Sequence, residues 1–312
     1  MIRIGFFGTP NLAARVLGDL LGAQEFEVVF VVTNPDKPIG RTSELRPSPV
    51  KEVALEHGIE LLQPLRIREN QEFLERIRSF NCDYFVVVAY GKILPKAVLD
   101  TPNKKCINIH GSILPKYRGA SPIQAALLYG EQETGVTIMQ MSEGMDEGDI
   151  LKIRKIPIDK TETSLTLFAK FEDVSGPALI QTLLELEHGG ITPLPQEQSL
   201  ATYCKKIEKN DGVVDWNTSA ESIYHMWQAY TPWPGIYTIY EQKRLLLEGV
   251  SYDTKKVENS KIGQVVKFQD NTIGITCREG TLTLKQVKLE GKKSQNIKDF
   301  LNGNPRFISS VF

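Results

Sequence analysis

The chain has 312 residues, more than one hydrophobic core usually serves, so we expect two domains that each fold by burying apolar side chains. It carries 37 Lys and Arg against 38 Asp and Glu, a net charge of −1, and this balance argues against a histone-like or polybasic membrane protein. Residues 1–200 sum to −5 and residues 201–312 to +4. The near-neutral total therefore conceals an acidic part followed by a basic part.

The cysteines and histidines are too few and too scattered for a metal or disulfide framework. Four cysteines stand far apart without a CxxC pair, at Cys82, Cys106, Cys204 and Cys277. No stretch approaches 18 uninterrupted apolar residues, and no coiled-coil pattern is evident. We expect a cytoplasmic protein that is a monomer, binds no metal and has no membrane partner.

The first two-thirds of the chain alternates apolar runs with helical patterns. Residues 2–7 predict a strand, and Asn11 is expected to cap the helix that follows. Further strands are predicted at 27–32, 59–62, 83–89, 105–110, 134–140 and 149–156, with helices at 48–57 and 164–188. The last helix is expected to kink or break at Gly176-Pro177. This alternation predicts an α/β fold, a Rossmann-like and mostly parallel sheet with helices on both faces.

The last third has a different pattern. Residues 190–206 contain Pro193 and Pro195 without apolar periodicity, which is typical of a linker. A helix is predicted at 220–230, and short alternating strands follow it. The pattern is typical of a small all-β barrel or sandwich over residues 207–312, and for this basic part of the chain we expect a C-terminal β-barrel of the OB-fold type, which binds oligonucleotides.

Glycines beside the first strand suggest a dinucleotide site at first sight. Gly5 and Gly8 match part of the GxGxxG motif, but the third glycine is missing and Pro10 alters the turn. A tight turn is the favoured interpretation.

A more informative pattern lies at the end of the strand at 105–110. Alternation places Asn108 and His110 on one face, at the carboxyl end where ligands of parallel sheets bind. An amide and a ring N–H there could hold the charge that develops on a carbonyl oxygen during acyl transfer. The alternative is a histidine that only satisfies the end of a strand.

A carboxylate in a glycine-flanked loop could complete this group. Asp146 would fix the tautomer of His110 or relay a proton through water. From spacing alone, Glu143, Glu147 and Asp149 are equally eligible.

Several motifs in the same order together resemble one family. They are residues 108–119, 89–95 and 144–148, supported by 7–10, 35–41, 47–51, 215–216 and 232–235. On these motifs the chain resembles the 10-formyltetrahydrofolate-dependent formyltransferases, and within them the members that act on initiator methionyl-tRNA.

The resemblance implies specific roles. Asn108, His110 and Asp146 would form the catalytic trio, with Asn108 and His110 stabilising the oxyanion and Asp146 assisting removal of the amine proton. The formyl donor 10-formyltetrahydrofolate would bind the turn made of Ser112, Ile113, Leu114 and Pro115. Tyr90, Gly91 and residues 139–145 would help line its site. No metal is implied.

The resemblance also implies contacts with tRNA. Arg41 lies in the loop 34–47 and matches an arginine that contacts the acceptor stem, although Thr42-Ser43-Glu44-Leu45 is less basic than usual and the loop alone could be a solvated crossover. Other candidate contacts in the basic part are Lys205, Lys206, Lys209, Lys243, Arg244, Lys285, Lys288, Lys292 and Lys293. Gln228 stands where relatives commonly carry arginine, and Trp227 and Trp233 are more typical of packing.

These expectations assign residues 1–189 to formyl transfer and residues 207–312 to tRNA binding. Two alternatives remain open. One is a formyltransferase for an amino sugar nucleotide, which would share the trio but would not need the basic barrel. The other is an RNA-binding protein on an inactive transferase scaffold, which would not need the trio.

Overall fold

The computed structural model describes residues 1–39, 44–255 and 257–312. It divides into two compact units. The first comprises Met1–Pro122, Glu133–Pro157 and Phe168–Lys205, and the second comprises Ile123–Gln132, Ile158–Leu167 and Lys206–Phe312. Among the helices of these ranges, none combines the length and the hydropathy that crossing a bilayer requires.

The first unit is built on a mostly parallel sheet, as predicted. Its strands in chain order are β1 (Ile2–Gly8), β2 (Phe26–Val32), β3 (Lys37–Ile39), β4 (Glu44–Arg46), β5 (Glu60–Leu62), β6 (Tyr84–Val88), β7 (Lys105–His110), β8 (Arg118–Gly119), β9 (Glu133–Gln140), β10 (Ile150–Pro157) and β11 (Tyr203–Cys204). Seven of them form one sheet in the order β10-β9-β7-β6-β1-β2-β5. The five from β7 to β5 are parallel, whereas β9 and β10 join antiparallel beside β7.

Six helices accompany these strands in the chain: α1 (Asn11–Gly22), α2 (Pro49–Glu56), α3 (Gln71–Ser79), α4 (Lys96–Leu99), α5 (Pro122–Leu128) and α6 (Ser164–Glu187). Asn11 is the first residue of α1 and not its cap, since Pro10 occupies the cap position. The Ser48 hydroxyl caps α2 by accepting a hydrogen bond from the Lys51 amide at 3.1 Å.

Helix α6 runs through Gly176-Pro177 without interruption, so the predicted break does not occur. Pro177 removes a single backbone hydrogen bond. Gly176 permits a close approach to α1, because a Cβ there would lie 2.0 Å from the Asp19 Oδ2 atom. The packing of a 24-residue helix outweighs the local cost of the proline.

The central strands owe their position to aromatic and β-branched side chains. The rings of Phe7, Phe30 and Phe85 from β1, β2 and β6 are fully buried and lie 5.2–5.9 Å apart between centroids. Such rings bury large areas and pack edge to face, which fixes the register of neighbouring strands. This core holds the carboxyl ends of β1, β6 and β7 at one edge of the sheet.

The second unit contains a curled antiparallel sheet, a half-barrel that agrees with the predicted small barrel. Its elements are α7 (Ala220–Tyr230), β12 (Tyr237–Tyr240), β13 (Lys243–Asp253), β14 (Val265–Lys267), β15 (Ile273–Thr276), β16 (Thr281–Leu289), β17 (Gln295–Asn296) and α8 (Ile297–Gly303). The strand order is β12-β13-β16-β15-β14, and β17 pairs with β16. Helix α7 lies at the predicted residues, whereas α8 was not predicted.

Of the segment 190–206, predicted to be a linker, residues 190–205 belong to the first unit and are partly structured. They contain a one-turn 3₁₀ helix at Gln198–Leu200 and strand β11, which pairs in parallel with β8. The main chains of Leu194 and Ile150 also exchange two hydrogen bonds of 2.8 and 2.9 Å. The exact domain boundary stays a prediction.

Candidate active site

Strand β7 delivers two polar side chains to the site. Asn108 is half-buried and lines a cavity, while His110, the last residue of the strand, is only 5% exposed. Both approach Asp146, since Asn108 shares the cavity lining with it and the His110 Nδ1 atom lies 3.7 Å from its Oδ2 atom. The structure therefore brings the three predicted catalytic residues together.

The tautomer of His110 follows from its surroundings. Its Nε2 atom lies 2.9 Å from the Tyr117 carbonyl oxygen, so Nε2 carries the proton and donates to that oxygen. In the neutral ring, Nδ1 is then a lone-pair acceptor that faces the Asp146 carboxylate. Burial lowers the pKa of His110, Arg118 adds to the lowering, and Asp146 and the Tyr117 carbonyl oppose it. The net shift is downward, which keeps the ring neutral at pH 7.

Asp146 occupies a tight loop between β9 and β10. Its backbone has a left-handed φ of 52°, and its Oδ2 atom accepts a hydrogen bond of 2.8 Å from the Gly119 amide. Within the described residues, it is the one carboxylate that lies within 4 Å of the His110 ring. Glu143 and Glu147 are exposed. Tertiary structure thus separates Asp146 from the other carboxylates that spacing had left equivalent.

The cavity beside Asn108 and Asp146 has a volume of about 390 Å³. This is within the range of small-molecule sites, roughly 300–1,000 Å³. The rest of its lining comes from the turn after β6 and the loop after β9: Lys92, Ile93, Leu94, Met139, Met141, Ser142, Glu143, Gly144 and Met145. Met139 and residues 141–145 thus line this cavity, while their predicted contact with folate stays a prediction.

One lining residue has an unused polar group. The Ser142 hydroxyl oxygen is buried and has no hydrogen-bond partner. A buried polar atom without a partner is costly unless a ligand or water satisfies it. A lining of methionine, leucine and isoleucine side chains with a few polar groups is typical of a small-molecule site.

The turn predicted to bind folate lies behind this cavity and is not part of its lining. Ser112 is fully buried and its hydroxyl donates to the Lys116 carbonyl at 2.5 Å. The Thr137 hydroxyl donates to the Ser112 carbonyl at 2.6 Å and accepts from the Leu114 amide at 3.2 Å. Ile113 packs over Gly135, and the peptide before Pro115 is cis. The folate role of residues 112–115 stays a prediction.

Tyr90 and Gly91, also predicted to bind folate, immediately precede the lining residues Lys92, Ile93 and Leu94. The Tyr90 ring is buried against Phe7, and its hydroxyl has no hydrogen-bond partner. Burial raises the pKa of Tyr90 to about 12, so the hydroxyl is neutral. Gly91 has a left-handed φ of 74° and is exposed. Their role in folate binding likewise stays a prediction. The residues of the motif 89–95 that do line the cavity, Lys92, Ile93 and Leu94, were not predicted individually.

The predicted tRNA contacts differ in how far the structure describes them. Arg41 lies outside the described residues. Lys205 and Lys206 are exposed and directly follow β11. Gln228 is buried, and its amide donates to the carbonyls of Lys160 and Glu162 at 3.1 and 2.7 Å.

Two residues of the site were missed by sequence reasoning. Arg118 is fully buried, and its guanidinium holds the Gln196 side chain, whose amide in turn donates to the Asp146 main-chain oxygen at 2.8 Å. Arg118 belongs to the motif at residues 108–119. Gln196 lies in the predicted linker, where no sequence pattern marks a site residue. Over the described ranges, no three His, Cys, Asp or Glu side chains are grouped as a metal would require.

Comparison with known proteins identifies the family of this chain. The family model described as "Formyl transferase" matches residues 2–183, and that described as "Formyl transferase, C-terminal domain" matches residues 206–305. The chain belongs to the formyl transferase family. Within this family, the chain is 41% identical over 301 residues to a methionyl-tRNA formyltransferase of Caldicellulosiruptor saccharolyticus, covering 96% of both chains. It is 42% identical over 313 residues to one of Pseudoalteromonas translucida, covering 99% of this chain and 96% of the relative.

Solved structures share the fold at lower identity. An N-formyltransferase of Helicobacter canadensis, in complex with folinic acid and dTDP-3-aminofucose, matches with a TM-score of 0.66 at 16% identity, over 91% of this chain and 99% of that one. HypX of Aquifex aeolicus in complex with tetrahydrofolic acid matches with a TM-score of 0.60 at 19% identity over 99% of this chain. The matched region covers about half of HypX, 48% of its length.

Proposed function

We propose that this protein transfers the formyl group of 10-formyltetrahydrofolate to the amino group of methionine on initiator methionyl-tRNA. The observation that carries the proposal is a ligand-sized cavity lined by Asn108 and Asp146, with the His110 Nδ1 atom 3.7 Å from the Asp146 carboxylate. Two family models that match residues 2–183 and 206–305, and relatives about 40% identical over 96% of their length, support the same activity.

Asn108 is the donor we assign to the reacting oxygen. Its amide lines the cavity, and a donor held at the oxygen where negative charge develops typically contributes about 3–4 kcal/mol to transition-state stabilisation. The one N–H of neutral His110 is already engaged by the Tyr117 carbonyl. We therefore assign stabilisation of the oxyanion mainly to Asn108, although the resemblance implied that Asn108 and His110 share it.

His110 and Asp146 together are suited to accept the amine proton. Nδ1 of the neutral ring and Oδ2 of the carboxylate are two acceptors 3.7 Å apart, so an N–H placed between them meets lone pairs on both sides. Once Nδ1 takes the proton, the imidazolium forms an ion pair with Asp146, which stabilises the protonated state. As the bond between the formyl carbon and the donor nitrogen breaks, that proton passes to the nitrogen and tetrahydrofolate leaves, so His110 returns to its neutral form.

We assign the formyl donor to the 390 Å³ cavity. When bound, it supplies the formyl carbon that the methionyl amine attacks. The apolar side chains of Leu94, Met141 and Met145 would cover its ring system, and the buried Ser142 hydroxyl would find a hydrogen-bond partner. Residues 112–115, Tyr90 and Gly91 would lie outside the lining and hold the lining residues in position.

We assign tRNA binding to the basic part of the chain. Lys205 and Lys206 are exposed, and residues 201–312 carry a net charge of +4, which favours contact with phosphates. Arg41 is proposed as a contact to the acceptor stem. The domain assignment remains 1–189 for transfer, 190–206 for the connection and 207–312 for tRNA.

The deciding experiment incubates the protein with charged initiator methionyl-tRNA and 10-formyltetrahydrofolate, and then tests for formylmethionine after deacylation. Formylmethionine that depends on both substrates is the expected product. Formylation of an amino sugar nucleotide without formylation of the tRNA would replace the proposed substrate, and tRNA binding without any transfer would indicate an inactive scaffold.

We further propose that the protein works as a monomer in the cytoplasm. All four cysteines are free thiols and three are buried, which suits a reducing compartment. Sedimentation equilibrium at several protein concentrations should give the mass of one chain, and a concentration-dependent rise to twice that mass would refute the monomer.

A further inference from the structure

Arg118 is a fully buried cation whose side-chain hydrogen bonds go to neutral groups. Its Nε and Nη2 atoms both donate to the Gln196 Oε1 atom, at 3.0 and 2.7 Å, and its Nη1 atom donates to the Gln198 Oε1 atom at 2.8 Å. The guanidinium carbon lies 6.0 Å from the centre of the Tyr203 ring. In the described part of the chain, no carboxylate forms an ion pair with it. A buried charge of this kind is expensive and calls for a function.

Gln196 connects Arg118 to the loop that carries Asp146 through hydrogen bonds on both sides of its amide. Its side chain is buried, and its Nε2 atom donates to the main-chain oxygens of Asp146 and Gly148 at 2.8 and 2.7 Å. The amide is thereby used on both sides, since the oxygen accepts from Arg118 and the nitrogen donates to the loop. These two hydrogen bonds hold the main chain of the loop in place at Asp146, where the backbone has a strained φ of 52°.

The main chain around Arg118 holds the other side of the catalytic pair. The Tyr117 carbonyl accepts from His110, and the Gly119 amide donates to the Asp146 carboxylate. Gly119 has a φ of 117°, and a Cβ there would lie 2.3 Å from the Cys204 carbonyl oxygen, so β8 and β11 approach as only glycine permits. Three consecutive residues therefore touch His110, Asp146 and the segment 196–204.

We propose that Arg118 and Gln196 are positioning residues for the transfer reaction, which hold the Asp146 loop in register with His110. The proposal rests on the formyl transfer proposed above. Neither side chain lines the cavity, so each acts through the catalytic pair and not on the substrate.

The guanidinium also has an electrostatic effect on the ring. The groups that face His110 are the Asp146 carboxylate from the loop after β9, the Tyr117 carbonyl and the Arg118 cation. Asp146 and the carbonyl raise the pKa of His110, whereas Arg118 lowers it together with burial. Removing the cation while leaving the carboxylate should therefore raise the pKa.

A titration that needs no turnover tests this effect. The protein has four histidines, so isotope-labelled imidazole signals can be followed by NMR against pH, with His110→Gln to assign the signal. In Arg118→Gln, which keeps an amide donor and loses the charge, the pKa of His110 should move upward. In Arg118→Lys, which keeps the charge, it should stay close to that of the wild type. An unmoved pKa in a folded Arg118→Gln protein would overturn the electrostatic role.

Steady-state kinetics test the positioning role. Gln196→Met removes both hydrogen bonds to the loop, and a misplacement of about 1 Å in a catalytic group costs up to roughly 100-fold, so kcat should fall about 10- to 100-fold. The KM for methionyl-tRNA should change by no more than about twofold, because the variant keeps every side chain that lines the cavity. Gln198→Met is the matched control. Gln198 also contacts Arg118, but its side chain is exposed and bonds to no described part of the Asp146 loop, so kcat should remain within about twofold.

The outcomes separate the two proposals. If the wild-type protein transfers no formyl group, the proposed function fails, while the titration still decides the effect of Arg118 on His110. If the wild type is active and Gln196→Met keeps its kcat, or changes kcat and KM in the proportion seen for Gln198→Met, the positioning role is wrong. If Arg118→Gln does not fold, the kinetic comparison decides alone.

Discussion

Replacing Asp146 by asparagine removes the negative charge beside His110 and keeps the shape of the side chain. The amide oxygen can still accept the hydrogen bond that the Gly119 amide now donates to Oδ2 at 2.8 Å. The Gln196 bond goes to the main-chain oxygen and is unaffected. The substitution therefore isolates the charge of Asp146 from its packing.

The expected magnitude follows from two effects that act in the same direction. Loss of one member of a proton-accepting pair typically costs about 10²- to 10⁴-fold in rate, or roughly 3–5 kcal/mol in the barrier. The carboxylate also raises the pKa of His110, so its removal lowers that pKa further and makes the imidazole a weaker base. Folding stability should fall by only about 1 kcal/mol, since one charge-assisted hydrogen bond becomes a neutral one.

The assay is single-turnover formyl transfer at saturating methionyl-tRNA, accompanied by a denaturant titration of each variant. Glu147→Gln is the control, because it makes the same chemical change at an exposed carboxylate of the same loop. We expect that control to keep wild-type turnover. Asp146→Asn with more than about a tenth of wild-type turnover, or a Glu147→Gln protein that is equally impaired, would refute the reasoning.

Three further results are expected. Asn108→Ala should lower kcat by about 10²- to 10³-fold, and a decrease below about tenfold in the transfer assay would remove the amide from the oxyanion site. Burial lowers the pKa of His110 from its ordinary value of 6.5, so in a pH titration followed by the NMR signals of its imidazole the ring should take up its proton below pH 6.5; a midpoint above that value contradicts the assignment of a neutral ring. Charge reversal at Lys205 or Lys206 should weaken tRNA binding and reduce the slope of log affinity against log salt by about 1 for each phosphate that the variant no longer neutralises, and an unchanged slope would exclude that lysine.

The sheet was predictable because its strands are near-continuous apolar runs. Helix α3 shows where such reasoning failed. Its sequence QEFLERIRS places Phe73 and Ile77 four residues apart on a buried face, and Asn70 caps it through the Phe73 amide at 3.0 Å. Both signals were present in the sequence, but the strong charge of the other face masked them.

The site was predictable only as far as local spacing determines it. Because Asn108 and His110 lie two residues apart on one strand, their side chains point to the same face of the sheet. Asp146 could be separated from neighbouring carboxylates only by its hydrogen bond to Gly119, 27 residues away in sequence. Gln196 lies 78 residues from Arg118, and a proline-containing polar stretch carries no periodic signal of such a contact.

The pairing of β8 with β11 limits where this chain can be divided. A fragment ending at residue 189 would retain Asn108, His110 and Asp146 but would lack Gln196 and the strand that lies against Gly119. The buried guanidinium of Arg118 would then face solvent or an empty space. If Gln196 holds the Asp146 loop as proposed, a fragment with transferase activity should extend beyond the proposed boundary at residue 189, at least to Cys204, and an exchange of the C-terminal part between relatives should preserve catalysis only with a junction beyond that residue.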